Sequence, residues 1–229
     1  VVSEIAKNKT GKKKIVVASI LAALAMQSGM IADVMAADPP SAKLADAALA
    51  VGTNGVAIGS SAKSQSNQSV AIGYFSNAQA PSANPENPAT AVGAGANANG
   101  AGTVALGLSA NATGANAIAL GGGSNGGTNK TEATAENATA VGFNAKASKS
   151  GASAIGSGAN ASGSDSISFG TATVANSEKA IAIGANSKGT AIGATALGRD
   201  TEASGASATA LGALASAKGS TATAVGMEA

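Results

Sequence analysis

Apolar residues recur along this chain in short quartets that end in glycine. Their final glycines are Gly59, Gly73, Gly93, Gly107, Gly121, Gly142, Gly156, Gly170, Gly184, Gly198, Gly212 and Gly226. The spacings are 14, 20, 14, 14 and 21, followed by six of 14. The two departures equal one period plus six and plus seven residues, so they read as insertions into an intact register. A fixed period held over twelve copies is the signature of a solenoid.

Within each quartet the residue before glycine is large and apolar: Ile58, Ile72, Val92, Leu106, Leu120, Val141, Ile155, Phe169, Ile183, Leu197, Leu211 and Val225. Two positions earlier the residue is β-branched, as in Val56, Val70, Thr90, Ile118, Ile181 and Thr209, with Ser153 as the exception. Alanine lies between them in every copy but one, where Ser168 stands. Such alternation predicts a short strand. Apolar residues on both of its faces predict burial on both sides, with the twelve large residues as structural core.

A weaker alternation follows each glycine. Small residues stand three and five positions on, as at Ala110 and Ala112, Ala159 and Ala161, or Ala215 and Ala217. The residue between them is polar: Lys63, Asn77, Asn97, Asn111, Lys146, Asn160, Lys188 and Glu202. This predicts a second, one-sided strand with small residues inward and those eight side chains in water, where they are the candidate ligand-facing positions. Gly100, Gly114, Gly163, Gly205 and Gly219 then end the strand, where a positive φ is expected. Two strands and two turns per period make one coil of a β-roll. Twelve coils at about 4.8 Å each would stand roughly 55 Å tall.

Composition adjusts this picture in three ways. Hydrophobic residues make up 45% of the chain but aromatic ones only 2%, so alanine carries the apolar share and the two sheets can approach closely. A lone roll would leave one apolar face of the first strand in water, which marks an association surface. A closed ring of copies, each hiding the same face, meets that need. Whether the alanine or the Val/Ile positions face its axis is left open by the pattern. The chain has no Cys and no His, which removes disulfides, imidazole catalysis and Cys/His metal sites. No cofactor is expected.

Residues 1–36 differ from the rest. Lys7, Lys9, Lys12, Lys13 and Lys14 precede the apolar run IVVASILAALAM, and Val34 and Ala36 fit a cleavage site, which together give a signal-peptide layout. Residues 37–50 read as a linker and 51–229 as the repeats. Those five lysines against Glu4 and Asp33 leave nine basic and ten acidic residues in the remainder, so no nucleic-acid partner is inferred.

The repeats SVAIGYFSNAQA, TVALGLSANATGANAIALG and TATAVG resemble the head repeats of YadA-like trimeric autotransporter adhesins. The opening VVSEIAKN resembles the end of the extended signal peptide found in that family. The resemblance implies an all-β, left-handed parallel β-roll of 14-residue repeats, assembled as a homotrimer. It also implies display on the bacterial outer membrane and binding of an extracellular-matrix protein such as collagen or another host surface molecule. Family members continue into a stalk and a C-terminal membrane anchor; Val1 and Ala229 make this chain look like an excerpt, with the membrane reached only through an anchor absent from it.

Other signals are weaker. GAGANA at 93–98 and GSGANA at 156–161 match a lax phosphate-loop pattern but read as repeat turns. The insertions, roughly Gln79 to Pro88 and Gly122 to Glu136, read as loops. Asn129 and Asn137 begin N-glycosylation acceptor patterns. Tyr74 and Phe75 read as cover for a coil edge. Scattered carboxylates argue against a carbohydrate-cleaving enzyme, and the chain is read as non-enzymatic. Two alternatives to adhesion are a self-aggregating surface module and an ice-binding solenoid, the latter suggested by Thr195, Thr209, Thr221 and Thr223.

Overall fold

The computed structural model describes residues 42–44, 48–80, 87–124 and 128–229. The targeting segment expected at 1–36 lies outside them. All regular structure among the described residues is parallel β-strand, in one sheet of 13 strands and a second of 12. The chain visits the sheets alternately, so each coil gives a three-residue first strand to one and a two- or three-residue second strand to the other. Register is strict: Ile118, Ala119 and Leu120 lie beside Val104, Ala105 and Leu106 on one side and Thr139, Ala140 and Val141 on the other. The fold is therefore the predicted parallel β-solenoid.

Strands this short have no stability alone. Each is held from both sides, as where the Val104 amide donates to the Ala117 carbonyl at 3.0 Å and the Ile118 amide to that of Ala138 at 2.9 Å. The segment 37–50 departs from the linker expectation. Ala42–Leu44 pairs with Val56–Ile58, and Leu49–Ala50 pairs with Lys63–Ser64, so both sheets already run there.

The core is alanine. Ala105, Ala119 and Ala140 on the first strands face Ala110, Ala112, Ala133 and their equivalents on the second strands, and all are inaccessible to solvent. This corrects the expectation that Ile58, Ile72, Val92, Leu106, Leu120, Val141, Ile155, Phe169, Ile183, Leu197, Leu211 and Val225 form the core of the roll. In the single chain they project from the outer face of the first sheet, most of them half-buried by their neighbours along the column. Leu106, Phe169, Leu197, Leu211 and Val225 are exposed. The reason is space. Ser168, standing in an alanine position, donates across the roll to Thr173 at 2.6 Å, and a Cβ added to Gly189 would lie 2.8 Å from the Ile181 carbonyl oxygen of the opposite sheet. No Leu or Ile fits between sheets that close.

The quartet glycines are fixed by the same crowding. Gly107 has φ +123°, and a Cβ there would sit 2.3 Å from the carbonyl oxygen of Gly121 in the next coil. At the other turn the expectation is corrected. Gly114, Gly163 and Gly205 lack positive φ; they are glycine because a Cβ would come within 2.0 Å, 1.9 Å and 1.9 Å of a neighbouring coil's carbonyl oxygen. The positive φ falls two residues later, on Asn116, Asp165 and Ser207.

Register also locates the insertions. Asn77 pairs with Asn97, and Val70 with Thr90, which puts the first insertion after a second strand. Asn111 pairs with Glu132, and Ile118 with Thr139, which puts the second insertion just after the glycine of a first strand. The two leave the roll at different corners. The range 122–136 is accordingly not all loop, because Glu132–Ala133 is a strand.

Candidate functional surface

The two outer faces of the roll differ in chemistry because successive residues of a strand point to opposite sides. On the second sheet the outward position forms one continuous column. All eight residues expected to face a ligand stand in it, namely Lys63, Asn77, Asn97, Asn111, Lys146, Asn160, Lys188 and Glu202. Lys63 and Lys188 are exposed and the other six partly so. Two residues further on, Gln65, Asn99, Thr134 and Asn176 extend the polar face and are exposed.

The amides of the column bond one another. The Asn77 Nδ2 group donates to Asn97 Oδ1 at 2.9 Å, and the Asn97 Nδ2 group donates to Asn111 Oδ1 at 2.8 Å. Each asparagine thus satisfies the one above it and keeps further donors and acceptors for solvent or a ligand. Sequence reading missed Glu132, which the insertion moved out of phase. It stands between Asn111 and Lys146 in the column, 3.8 Å from the Lys146 ammonium and 3.2 Å from that of Lys130. Val174 also belongs to the column, between Asn160 and Lys188. At the corner beyond this face, Glu178 accepts a hydrogen bond from Lys179 at 2.9 Å, which holds that ammonium above its usual pKa, with the attraction of the same carboxylate adding to the effect.

The outer face of the first sheet is apolar. One column holds Val56, Val70, Thr90, Val104, Ile118, Thr139, Ser153, Ile167, Ile181, Thr195, Thr209 and Thr223, and the other holds the twelve large residues before glycine. Thr195, Thr209 and Thr223 lie in register. Thr221, however, occupies a turn at φ 57°, and the threonine run ends at Ile181. Among the described residues the threonines of the first strands therefore form no array that spans all coils.

Tyr74 and Phe75 pack edge to face with ring centroids 4.4 Å apart. They remain 57% and 56% exposed, so they do not cover a coil edge. Thr131, in the acceptor pattern of Asn129, is buried and donates to the Gly142 carbonyl at 2.6 Å. Asn137 is exposed and accepts a hydrogen bond from Asn116 at 3.3 Å. The two lax phosphate-loop matches fall on repeat turns, and no helix follows either among the described residues. No group of three or more acidic side chains is placed to hold a metal ion among the described residues.

An alanine-cored parallel solenoid with one apolar and one polar flank defines a class of repeat scaffold that presents two unlike surfaces. The YadA head domain repeat (2 copies) matches residues 50–76, 88–110, 98–124, 133–159, 161–187, 190–215 and 203–229, more than half of the chain. The chain belongs to that family and is a YadA-like head region. Among solved structures it is similar to the collagen-binding domain of the Yersinia adhesin YadA, at 20% identity over 78% of this chain and 69% of that one, with a TM-score of 0.31. No curated protein sequence matches it.

Proposed function

We propose that the chain is the head of a homotrimeric adhesin exported to the bacterial outer surface, where it binds a host extracellular-matrix protein without catalysis. The observation that carries this reading is the division of the roll into two unlike flanks. A stripe of Val, Ile, Leu and Phe running the length of a solenoid is too large to leave in water, and copies of the same chain bury it by symmetry. The polar column then faces outward on each copy. Many weak contacts, repeated every coil and on three chains, give avidity in place of a deep pocket.

Family membership makes collagen the first ligand to test. Purified chain and labelled collagen should bind saturably, and Ile118→Asp, which breaks the apolar stripe, should weaken binding by at least tenfold through loss of avidity. Self-association of the chain with no binding to collagen or other matrix proteins would refute the adhesive reading and favour an aggregating surface module.

A further inference from the structure

We propose that the corner of the roll carrying Tyr74 and Phe75, together with the asparagine column beside it, binds an uncharged oligosaccharide. This is a further binding activity, separate from the matrix-protein reading. Phe75 holds φ 54°, a left-handed conformation that is unfavourable for a bulky side chain. Ser61, Ser109, Asn144 and Asn186 fill the same place in other coils. The Phe75 amide donates to the Ser60 carbonyl at 3.0 Å, and the Gly95 amide donates to that of Tyr74 at 2.7 Å, so bonds between coils fix the turn. Both rings are nonetheless more than half exposed. Strain without burial points to a role in what the position presents outward.

The surroundings give the pair room. In its T-shaped contact the ring that offers an edge keeps both faces clear of the other. Ser60 and Ser61 hold the equivalent turn of the coil before, and Ala94 and Gly95 that of the coil after, so no side chain there exceeds a hydroxymethyl group. Two residues beyond Phe75, Asn77 opens the run of amides Asn77, Asn97 and Asn111, bonded in series. Each carboxamide keeps a donor and an acceptor for a ligand. Successive amides stand one coil, about 4.8 Å, apart. That is close to the length of one sugar ring in an extended chain.

The occupant is an uncharged sugar because of the chemistry that meets here. A sugar ring carries C–H groups on its face and hydroxyls at its rim, which match an open aromatic face and carboxamides that both donate and accept. Charge is absent. Between Lys63 and Lys130 the sequence holds one charged residue, Glu86, and it belongs to the insertion that leaves the roll at the other corner. Residues 130–229 carry 14 charged residues, so a charged ligand would find its counter-charges there and not beside Tyr74.

Tyr74 is the only tyrosine and the chain has no tryptophan, so its emission reports the site without a background. The purified chain would be titrated with chito-, lacto- and malto-oligosaccharides and, for comparison, with heparin oligosaccharides. At least one uncharged probe should change the emission saturably, with an affinity unaltered between about 0.1 M and 1 M salt. Phe75→Asn places at this turn the residue that Asn144 and Asn186 already hold in the same conformation. That variant and Asn97→Ala should each weaken binding at least tenfold, with circular dichroism and light-scattering mass unchanged. Arg199→Ala, far along the roll, should leave it at the parent value. No saturable change with any uncharged probe would overturn the proposal. So would parent affinity in either site variant, or binding of the heparin oligosaccharides alone. Labelled collagen, run in parallel, tests the matrix-protein reading separately.

Discussion

Two glycines of one turn offer a controlled test of how tightly the coils stack. Gly93 has φ +131°, and a Cβ there would lie 2.5 Å from the Gly107 carbonyl oxygen of the next coil. Gly95, two residues on, has φ +65°, and its nearest neighbour to an added Cβ is the Ser109 hydroxyl at 3.4 Å. Position 95 is equivalent to Ser109 and, further along, to Asn144, Ala172 and Leu214, all of which hold φ between 54° and 62°. Alanine is thus already accepted in that conformation. Gly93→Ala must add backbone strain of about 2 kcal/mol. It must also push the next coil away, at the expense of the bonds from the Gly93 amide to Ile72 at 2.7 Å and from the Gly107 amide to Val92 at 2.8 Å. At about 1 kcal/mol per bond, the total comes to about 4 kcal/mol. Gly95→Ala adds left-handed strain of about 1 kcal/mol, offset in part by a less flexible unfolded chain. Urea unfolding followed by circular dichroism should show a large fall in midpoint for Gly93→Ala and a small shift for Gly95→Ala. Equal shifts would refute the claim that backbone contact between coils, rather than local conformation, selects the quartet glycine.

Three further outcomes follow from the two faces. Ala119→Asp places a charge in the alanine core and should abolish folding by circular dichroism, whereas Ile118→Asp, one residue away on the outer face, should keep the strand signal and lose assembly by light scattering. Asn97→Ala removes both amide bonds of its ladder and should cost about 1 kcal/mol in urea unfolding without changing assembly. Lys179 should titrate above the ordinary lysine range by NMR and return toward it in Glu178→Gln. Its pKa is raised in the folded state, so any stabilisation is complete below the unfolded pKa and is lost as pH rises through the folded one.

The period, both strands of each coil and the places where the repeat is interrupted were legible because they depend on spacing alone. Alternation also showed that Ile118 and Leu120 share a face opposite Ala119. It did not show which face is inside, because ordinary hydrophobicity ranks Ile and Leu above Ala and assigns them to the core. Distance between the sheets decides otherwise, and no single residue encodes that distance. Glu132 was hidden by the insertion before it, since a fixed offset from the glycine no longer found its column. The coil that contains Ala42–Leu44 escaped notice because AKL lacks the glycine-terminated quartet, although the backbone pairs in the same 14-residue register. Glycine at the second turn was assigned to positive φ, the commoner cause, when the actual reason is a carbonyl oxygen of the adjacent coil.

In the proposed trimer the outer stripe of the first sheet is an interface between copies of this chain. Light scattering of the purified chain across a concentration series tests it most directly. The mass should be that of three chains for the parent and of one for Ile118→Asp, with the same strand content in both. A folded parent that stays monomeric at every concentration would contradict it.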